Sequence, residues 1–216
     1  MARSAEVTIA LGEIVLGGIL TVPDGSRGVV LFAHGSGSGR HSPRSQWVAD
    51  ALVAQGFATL LFDLLTADEE PADAVSGHLR FDIDLLAGRL LGATEWLRSG
   101  EVAALPIGYF GASTGAGAAL VAAARLGEPV GAVVSRGGRP DLAGQSVLER
   151  VSAPTLLIVG GSDATVLGLN RRALELLGGV KRLEVVPGAS HLFEEPGALD
   201  EVARLAGAWF REHLTK

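Results

Sequence analysis

The stretch Pro106-Ile107-Gly108-Tyr109-Phe110-Gly111-Ala112-Ser113-Thr114-Gly115-Ala116-Gly117-Ala118-Ala119-Leu120 carries the reading of the whole chain. Residues 106–110 are short, apolar and aromatic, as a strand buried on both faces requires. Residues 114–125 are small and suit a helix packed closely on that strand. Between the two, Gly111 and Gly115 flank Ser113 and mark a sharp strand-to-helix turn.

The same unit recurs in both directions. Further strands are predicted at 28–33, 58–62, 132–135, 155–159 and 181–186, each a short apolar run bounded by turn-forming residues. Helices are predicted over 82–98, 114–125, 142–150, 169–177 and 198–213, and over 43–55, where Ser42 is the N-cap and Pro43 the first helical residue. Residues 63–80 are polar and read as a loop. Two strands, 6–11 and 14–22, precede the alternation as a hairpin. Eight strands so arranged imply an α/β fold, a mostly parallel, doubly wound sheet with helices on both faces. With no linker and no repeat, residues 1–216 are expected to form one domain.

Composition narrows the function. Hydrophobic residues make up 48 % of the 216 and charged residues 19 %, which excludes a disordered chain. The formal net charge of -6 disfavours a nucleic-acid-binding surface. No cysteine is present, so disulfides, thiolate metal sites and a cysteine nucleophile are excluded. Glu13 and several glycines interrupt the apolar run near the N-terminus, so neither a secretory leader nor a membrane span is expected. The protein is read as cytoplasmic, a monomer or homodimer.

In doubly wound sheets ligands bind outside the carboxyl ends of the strands. Gly111-Ala112-Ser113-Thr114-Gly115 follows one such strand and fits G-x-S-x-G in its strand-turn-helix context. Gly160-Gly161-Ser162-Asp163 follows another, and Pro187-Gly188-Ala189-Ser190-His191 a third. A serine hydroxyl needs a base within hydrogen-bond reach, an imidazole can be that base, and a carboxylate can orient it. Each residue has a plainer reading too: Ser113 as a helix N-cap, Asp163 as a turn residue, His191 as a surface histidine. Their order along the chain favours the joint reading.

The loop His34-Gly35-Ser36-Gly37-Ser38-Gly39 follows the strand at 28–33. Backbone N–H groups of Ser36 and Thr114 are the candidate donors for an oxyanion, and Gly35 leaves room for substrate. A phosphate-binding loop fails, because Arg40 stands where the third glycine of G-x-G-x-x-G would be and no P-loop lysine follows. No metal-ligand spacing appears, so neither metal nor cofactor is expected. Arg40, Arg44, Arg136 and Arg139 all fall in strand-end loops. They could tie loops together or bind an anionic group, with Arg136 the candidate for substrate because it directly follows a strand. Asp141 is a fallback acid.

These motifs resemble the α/β-hydrolase superfamily over essentially the whole chain, most closely its small dienelactone hydrolase-like members. The similarity rests on His34-Gly35-Ser36-Gly37, Gly111-Ala112-Ser113-Thr114-Gly115, Gly160-Gly161-Ser162-Asp163 and Gly188-Ala189-Ser190-His191-Leu192-Phe193. His41-Ser42-Pro43-Arg44, Asp63-Leu64-Leu65-Thr66 and Ser135-Arg136-Gly137-Gly138-Arg139-Pro140-Asp141 are similar to one bacterial subgroup. Some relatives in that subgroup join the hydrolase to a phosphoribosyltransferase domain, which is not expected in these residues. The resemblance implies a serine hydrolase with a Ser113–His191–Asp163 triad acting on a small-molecule ester. Dienelactone hydrolases use cysteine where this chain has Ser113, which favours an ordinary esterase. A lactone or thioester hydrolase on the same residues and a non-catalytic binding module are the alternatives. The short segment between Ser135 and Pro154 leaves no room for a large cap, so a shallow site is expected.

Overall fold

Hairpin strands β1 (Ala2–Leu11) and β2 (Ile14–Pro23) lie at one edge of an eight-stranded sheet, paired antiparallel through the tight turn at Gly12. In this computed structural model residues 1–127 and 130–214 are described. The remaining strands are β3 (Val29–Ala33), β4 (Ala58–Phe62), β5 (Ile107–Ala112), β6 (Val130–Arg136), β7 (Thr155–Gly160) and β8 (Lys181–Val186). Their order across the sheet is β1-β2-β4-β3-β5-β6-β7-β8. β2 meets β4 antiparallel, and every pair from β4 to β8 is parallel.

The helices are α1 (Pro43–Ala54), α2 (Glu69–Ser76), α3 (Ile83–Arg98), α4 (Thr114–Leu126), α5 (Gln145–Leu148), α6 (Ala164–Leu176) and α7 (Ala198–His213). Side chains alternate across β3. Val29, Leu31 and Ala33 join the core under α3 and α4, while Val30 and Phe32 join the one under α1 and α7. Strands buried on both faces must be apolar on both, which is why β3, β4, β5 and β7 read as continuous hydrophobic runs.

α1 begins as expected: the Ser42 side chain accepts the Ser45 N–H, and Pro43 occupies the first turn. α7 also has the predicted limits. Three expectations need correction. Residues 63–80 are not all loop, for they hold α2 and a 3-10 turn (Leu79–Phe81). The helix expected from Leu169 begins five residues earlier, directly after Asp163, which caps it. The expected helix at 142–150 is a 3-10 turn (Pro140–Ala143) followed by the single turn α5. Among the described residues no helix is long and apolar enough to cross a membrane.

Chain order reverses beside β3. The sheet grows from β3 to β4 on one side, then returns to place β5 on the other. The crevice at such a switch point lies between the carboxyl ends of β3 and β5. There Ala33 is in register with Gly111, so the loops that carry Gly35 and Ser113 are neighbours.

Candidate active site

Ser113 follows β5 with φ 50° and ψ -119°, a left-handed conformation that a residue with a Cβ adopts only under constraint. Its flanking glycines are required by contact. A Cβ at Gly111 would lie 2.4 Å from the Ala116 Cα, and one at Gly115 would lie 2.1 Å from the Ala33 carbonyl oxygen. The turn is pinned on its other side, where the Ser113 N–H donates to the Arg136 carbonyl (3.2 Å) and the Arg139 N–H to the Ser113 carbonyl (3.0 Å). Ser113 occupies the N-cap position of α4, yet its side chain makes no capping hydrogen bond. The plainer reading of this serine as a helix cap is therefore not what the structure holds; the hydroxyl is left free.

Asp163 and His191 meet because two loops are stitched together beyond β7 and β8. The Gly161 and Ser162 N–H groups donate to the Val186 and Ala189 carbonyls (2.8 and 3.0 Å). Gly160 permits this approach, since a Cβ there would come within 2.3 Å of the Ala189 carbonyl oxygen. Asp163 Oδ2 then lies 2.7 Å from His191 Nδ1. Its other oxygen, Oδ1, accepts the Val166 N–H (3.3 Å) and so caps α6. Asp163 is thus both the N-cap of α6 and the partner of the imidazole, where the sequence offered a turn residue or an imidazole partner. With Nδ1–H donated to Asp163, Nε2 of His191 is the nitrogen left to accept a proton.

His191 and Ser113 flank one peptide. Ser113 is bonded to the Arg136 carbonyl, and the His191 ring edge is 3.6 Å from where a Cβ of Gly137 would stand. The Ser113 hydroxyl makes no hydrogen bond to the imidazole in this structure; nucleophile–base bonds commonly tighten only around substrate. Gly35 faces the serine from the other side, a Cβ on it lying 3.2 Å from the Ser113 Cβ. Among the described residues the N–H groups of Ser36 and Thr114 donate to no backbone carbonyl outside regular structure. Thr114 is also the first residue of α4, where the helix dipole favours negative charge.

His34 shapes this loop. Its Nδ1–H donates to the Gly35 carbonyl (3.0 Å), and its Nε2 accepts the Leu64 N–H (3.0 Å). Burial holds its pKa below the usual 6.5, opposed by the Gly35 bond and the charge of Asp63. Beside the loop opens a cavity of about 620 Å³, walled by residues that include Ser36, Arg44, Leu65, Asp73, Arg80 and Thr114. The sequence reading missed α2, which supplies part of that wall. The missed signal is Thr66-Ala67-Asp68-Glu69: the Glu69 N–H donates to the Thr66 hydroxyl (3.1 Å) and the Thr66 N–H to the Glu69 carboxylate (2.8 Å), a reciprocal capping box.

The four arginines separate cleanly. Arg40 is paired with Asp63, Arg44 with Glu194 (3.2 Å), and Arg139 with Asp141 (2.7 Å). The last pair occupies Asp141, the fallback acid. Among the described residues Arg136 has no ion-pair partner, and it is only 8 % exposed. Among the described residues no group of three or more His, Asp or Glu side chains is placed to hold a metal ion.

A mostly parallel eight-stranded sheet with a strained serine at the switch point and an Asp–His pair beyond the next strands defines the α/β-hydrolase class. No family profile matches the chain. Comparison with solved structures is decisive. A dienelactone hydrolase of Anabaena variabilis is 58 % identical, superimposes with a TM-score of 0.96, and is matched over 99 % of both chains. The chain belongs to the α/β-hydrolase superfamily, among its dienelactone hydrolase-like proteins. Est1E from Butyrivibrio proteoclasticus shares the fold at a TM-score of 0.81 and 15 % identity, with 96 % of this chain and 98 % of that one covered. A Mycobacterium tuberculosis protein provisionally named a phosphoribosyl transferase is 60 % identical over 98 % of this chain and 47 % of its own length. The chain thus spans about half of the curated relatives it matches. The fold and its relatives make it hydrolase-like.

Proposed function

We propose that the protein is a serine hydrolase that cleaves small carboxylic esters through an acyl-enzyme. Ser113 Oγ attacks the ester carbonyl carbon and its proton passes to His191 Nε2. The tetrahedral oxygen takes the N–H groups of Ser36 and Thr114, donors aimed where charge develops. The C–O bond breaks and the alcohol leaves with the proton from His191. Water then attacks the acyl carbon, gives a proton to His191, and the carboxylic acid departs as Ser113 recovers its hydrogen. Asp163 keeps the imidazole in the tautomer that accepts at Nε2 and balances its charge.

The observation that carries this reading is the strained Ser113 with an uncommitted hydroxyl, placed one peptide away from an imidazole already bound to Asp163 at 2.7 Å. A binding module would have no use for a strained serine at that place. The test is labelling with a fluorophosphonate at neutral pH, read by intact mass and peptide mapping. One adduct on Ser113, abolished in His191→Ala, is expected. A folded protein that takes no label, or takes it elsewhere, refutes the proposal. Esters, thioesters and lactones of matched acyl length then rank the leaving groups.

A further inference from the structure

We propose that Asn170 is a positioning residue for the nucleophile: one buried amide that ties the turn of Ser113 to the helix begun by Asp163. The proposal rests on the hydrolase reading above and extends its machinery beyond the triad.

Asn170 lies in α6, about two turns beyond Asp163, and is fully buried. For stability alone it is a poor choice. Asparagine is a weak helix former, and a buried amide is costly unless its polar atoms are bonded. Its oxygen, Oδ1, has no hydrogen-bond partner among the described residues. An apolar side chain would pack there without that cost, so the reason for the asparagine lies in its nitrogen.

Nδ2 donates twice. One bond goes to the Val166 carbonyl one turn back (2.8 Å), and the other crosses to the Gly138 carbonyl (2.9 Å). The Gly138 C=O and the Arg139 N–H belong to one peptide group, and that N–H donates to the Ser113 carbonyl (3.0 Å). The two bonds therefore run head to tail through a single peptide, and bonds in series polarise one another. At the other end the Val166 N–H donates to Asp163 Oδ1 (3.3 Å). Hydrogen bonds thus join the acid to the nucleophile's turn through the interior, by a route that does not pass through the imidazole.

The linking peptide is closely held. A Cβ at Gly138 would lie 1.9 Å from Ser135 Oγ and 2.6 Å from the Ala116 Cβ, so the chain there is wedged between β6 and the first turn of α4. The Gly137 N–H donates to the Ile158 carbonyl (2.8 Å). Ser113 needs such bracing, because a residue with a side chain keeps φ 50° only where its surroundings over-determine it. The Arg139 bond holds the Ser113 carbonyl, and Asn170 holds the peptide that makes that bond. Without the amide the turn can relax and carry Oγ away from His191, and a displacement of about 1 Å can cost on the order of 100-fold in rate.

The experiment compares the wild type with Asn170→Ser and Asn170→Leu on p-nitrophenyl acetate, well below each melting temperature and after subtraction of the uncatalysed rate. Serine can still bond the Val166 carbonyl one turn back, but it is too short to reach Gly138. Leucine refills the volume and donates nothing, so a loss common to both variants does not come from a cavity. Each should lose about 10- to 100-fold in kcat with KM changed less than about threefold. In Asn170→Ser the acid limb of the kcat/KM pH profile should stay in place, because Asp163 and His191 are untouched. A shifted limb would mean that the effect travels through the imidazole, and it overturns the assignment to Ser113. Variants that melt lower yet keep kcat within about threefold of wild type mark a structural asparagine and overturn it too. If the leucine variant does not fold, the serine variant decides. Hydrogen exchange read by NMR needs no turnover: the Arg139 amide should exchange at least about tenfold faster in Asn170→Ser, and unchanged protection refutes the link. A wild type that takes no fluorophosphonate label sinks the hydrolase reading and the positioning role with it. A labelled wild type whose Asn170 variants keep their kcat sinks the role of Asn170 alone.

Discussion

Replacing Ser113 by alanine and by glycine separates strain from chemistry. The backbone there sits at φ 50° and ψ -119°, which alanine must adopt with its Cβ in place. Such a conformation costs a residue with a side chain about 1–3 kcal/mol. Glycine adopts it freely but gives up roughly 0.5–1 kcal/mol through the greater freedom of its unfolded chain. The balance favours Ser113→Gly over Ser113→Ala by about 1 kcal/mol. For a protein of this size that is a rise of about 2–4 °C in Tm. The usual order at a half-buried site is the reverse, so the sign alone is diagnostic. Scanning calorimetry of the two variants at one pH measures it. An alanine variant that melts at or above the glycine variant would refute the strain argument.

Three further outcomes follow from the geometry. Asp163→Asn should lower kcat on the order of 10³- to 10⁴-fold with little change in KM, because the amide favours the wrong imidazole tautomer; steady-state kinetics on a short ester checks this, and an unchanged kcat refutes the pairing. Gly115→Ala puts a Cβ 2.1 Å from the Ala33 carbonyl oxygen, so it should cost at least about 2 kcal/mol and lower the urea midpoint accordingly. His34 is held neutral by burial, with its folded pKa below 6.5, so its contribution to stability is complete above that pH and is lost as pH falls below it. Urea midpoints between pH 7.5 and 5 should therefore fall more steeply in wild type than in His34→Gln, and parallel slopes would exclude His34 as the titrating group.

The sheet could be read from the chain because its parallel strands are buried on both sides, and a run such as Val29–Ala33 has no other soluble use. The strand ends followed from glycines whose removal would drive a Cβ into backbone, as at Gly111, Gly115 and Gly160. α2 escaped because its sequence, Glu-Glu-Pro-Ala-Asp-Ala-Val-Ser, offers almost no apolar stripe. Only Asp73 on it is buried, so its order comes from the Thr66–Glu69 box and from ion pairs of Asp73 with Arg80 and Glu69 with Arg89. The start of α6 escaped for a related reason: periodicity begins at the residues that pack, whereas the first turn is set by the Asp163 cap. The partners of the arginines were not readable at all. Arg44 finds Glu194 across 150 positions, and nothing local separates it from Arg136, which finds none among the described residues.

One carboxylate has two obligations. Asp163 starts α6 with one oxygen and steadies the imidazole with the other, so fraying of that helical turn and loss of the ring's alignment become a single local event. On the proposed mechanism, warmth that loosens only this corner would stop turnover while the sheet stays intact. Heat inactivation would then run ahead of global melting, and a tighter first turn on α6 would extend the working temperature without touching the core.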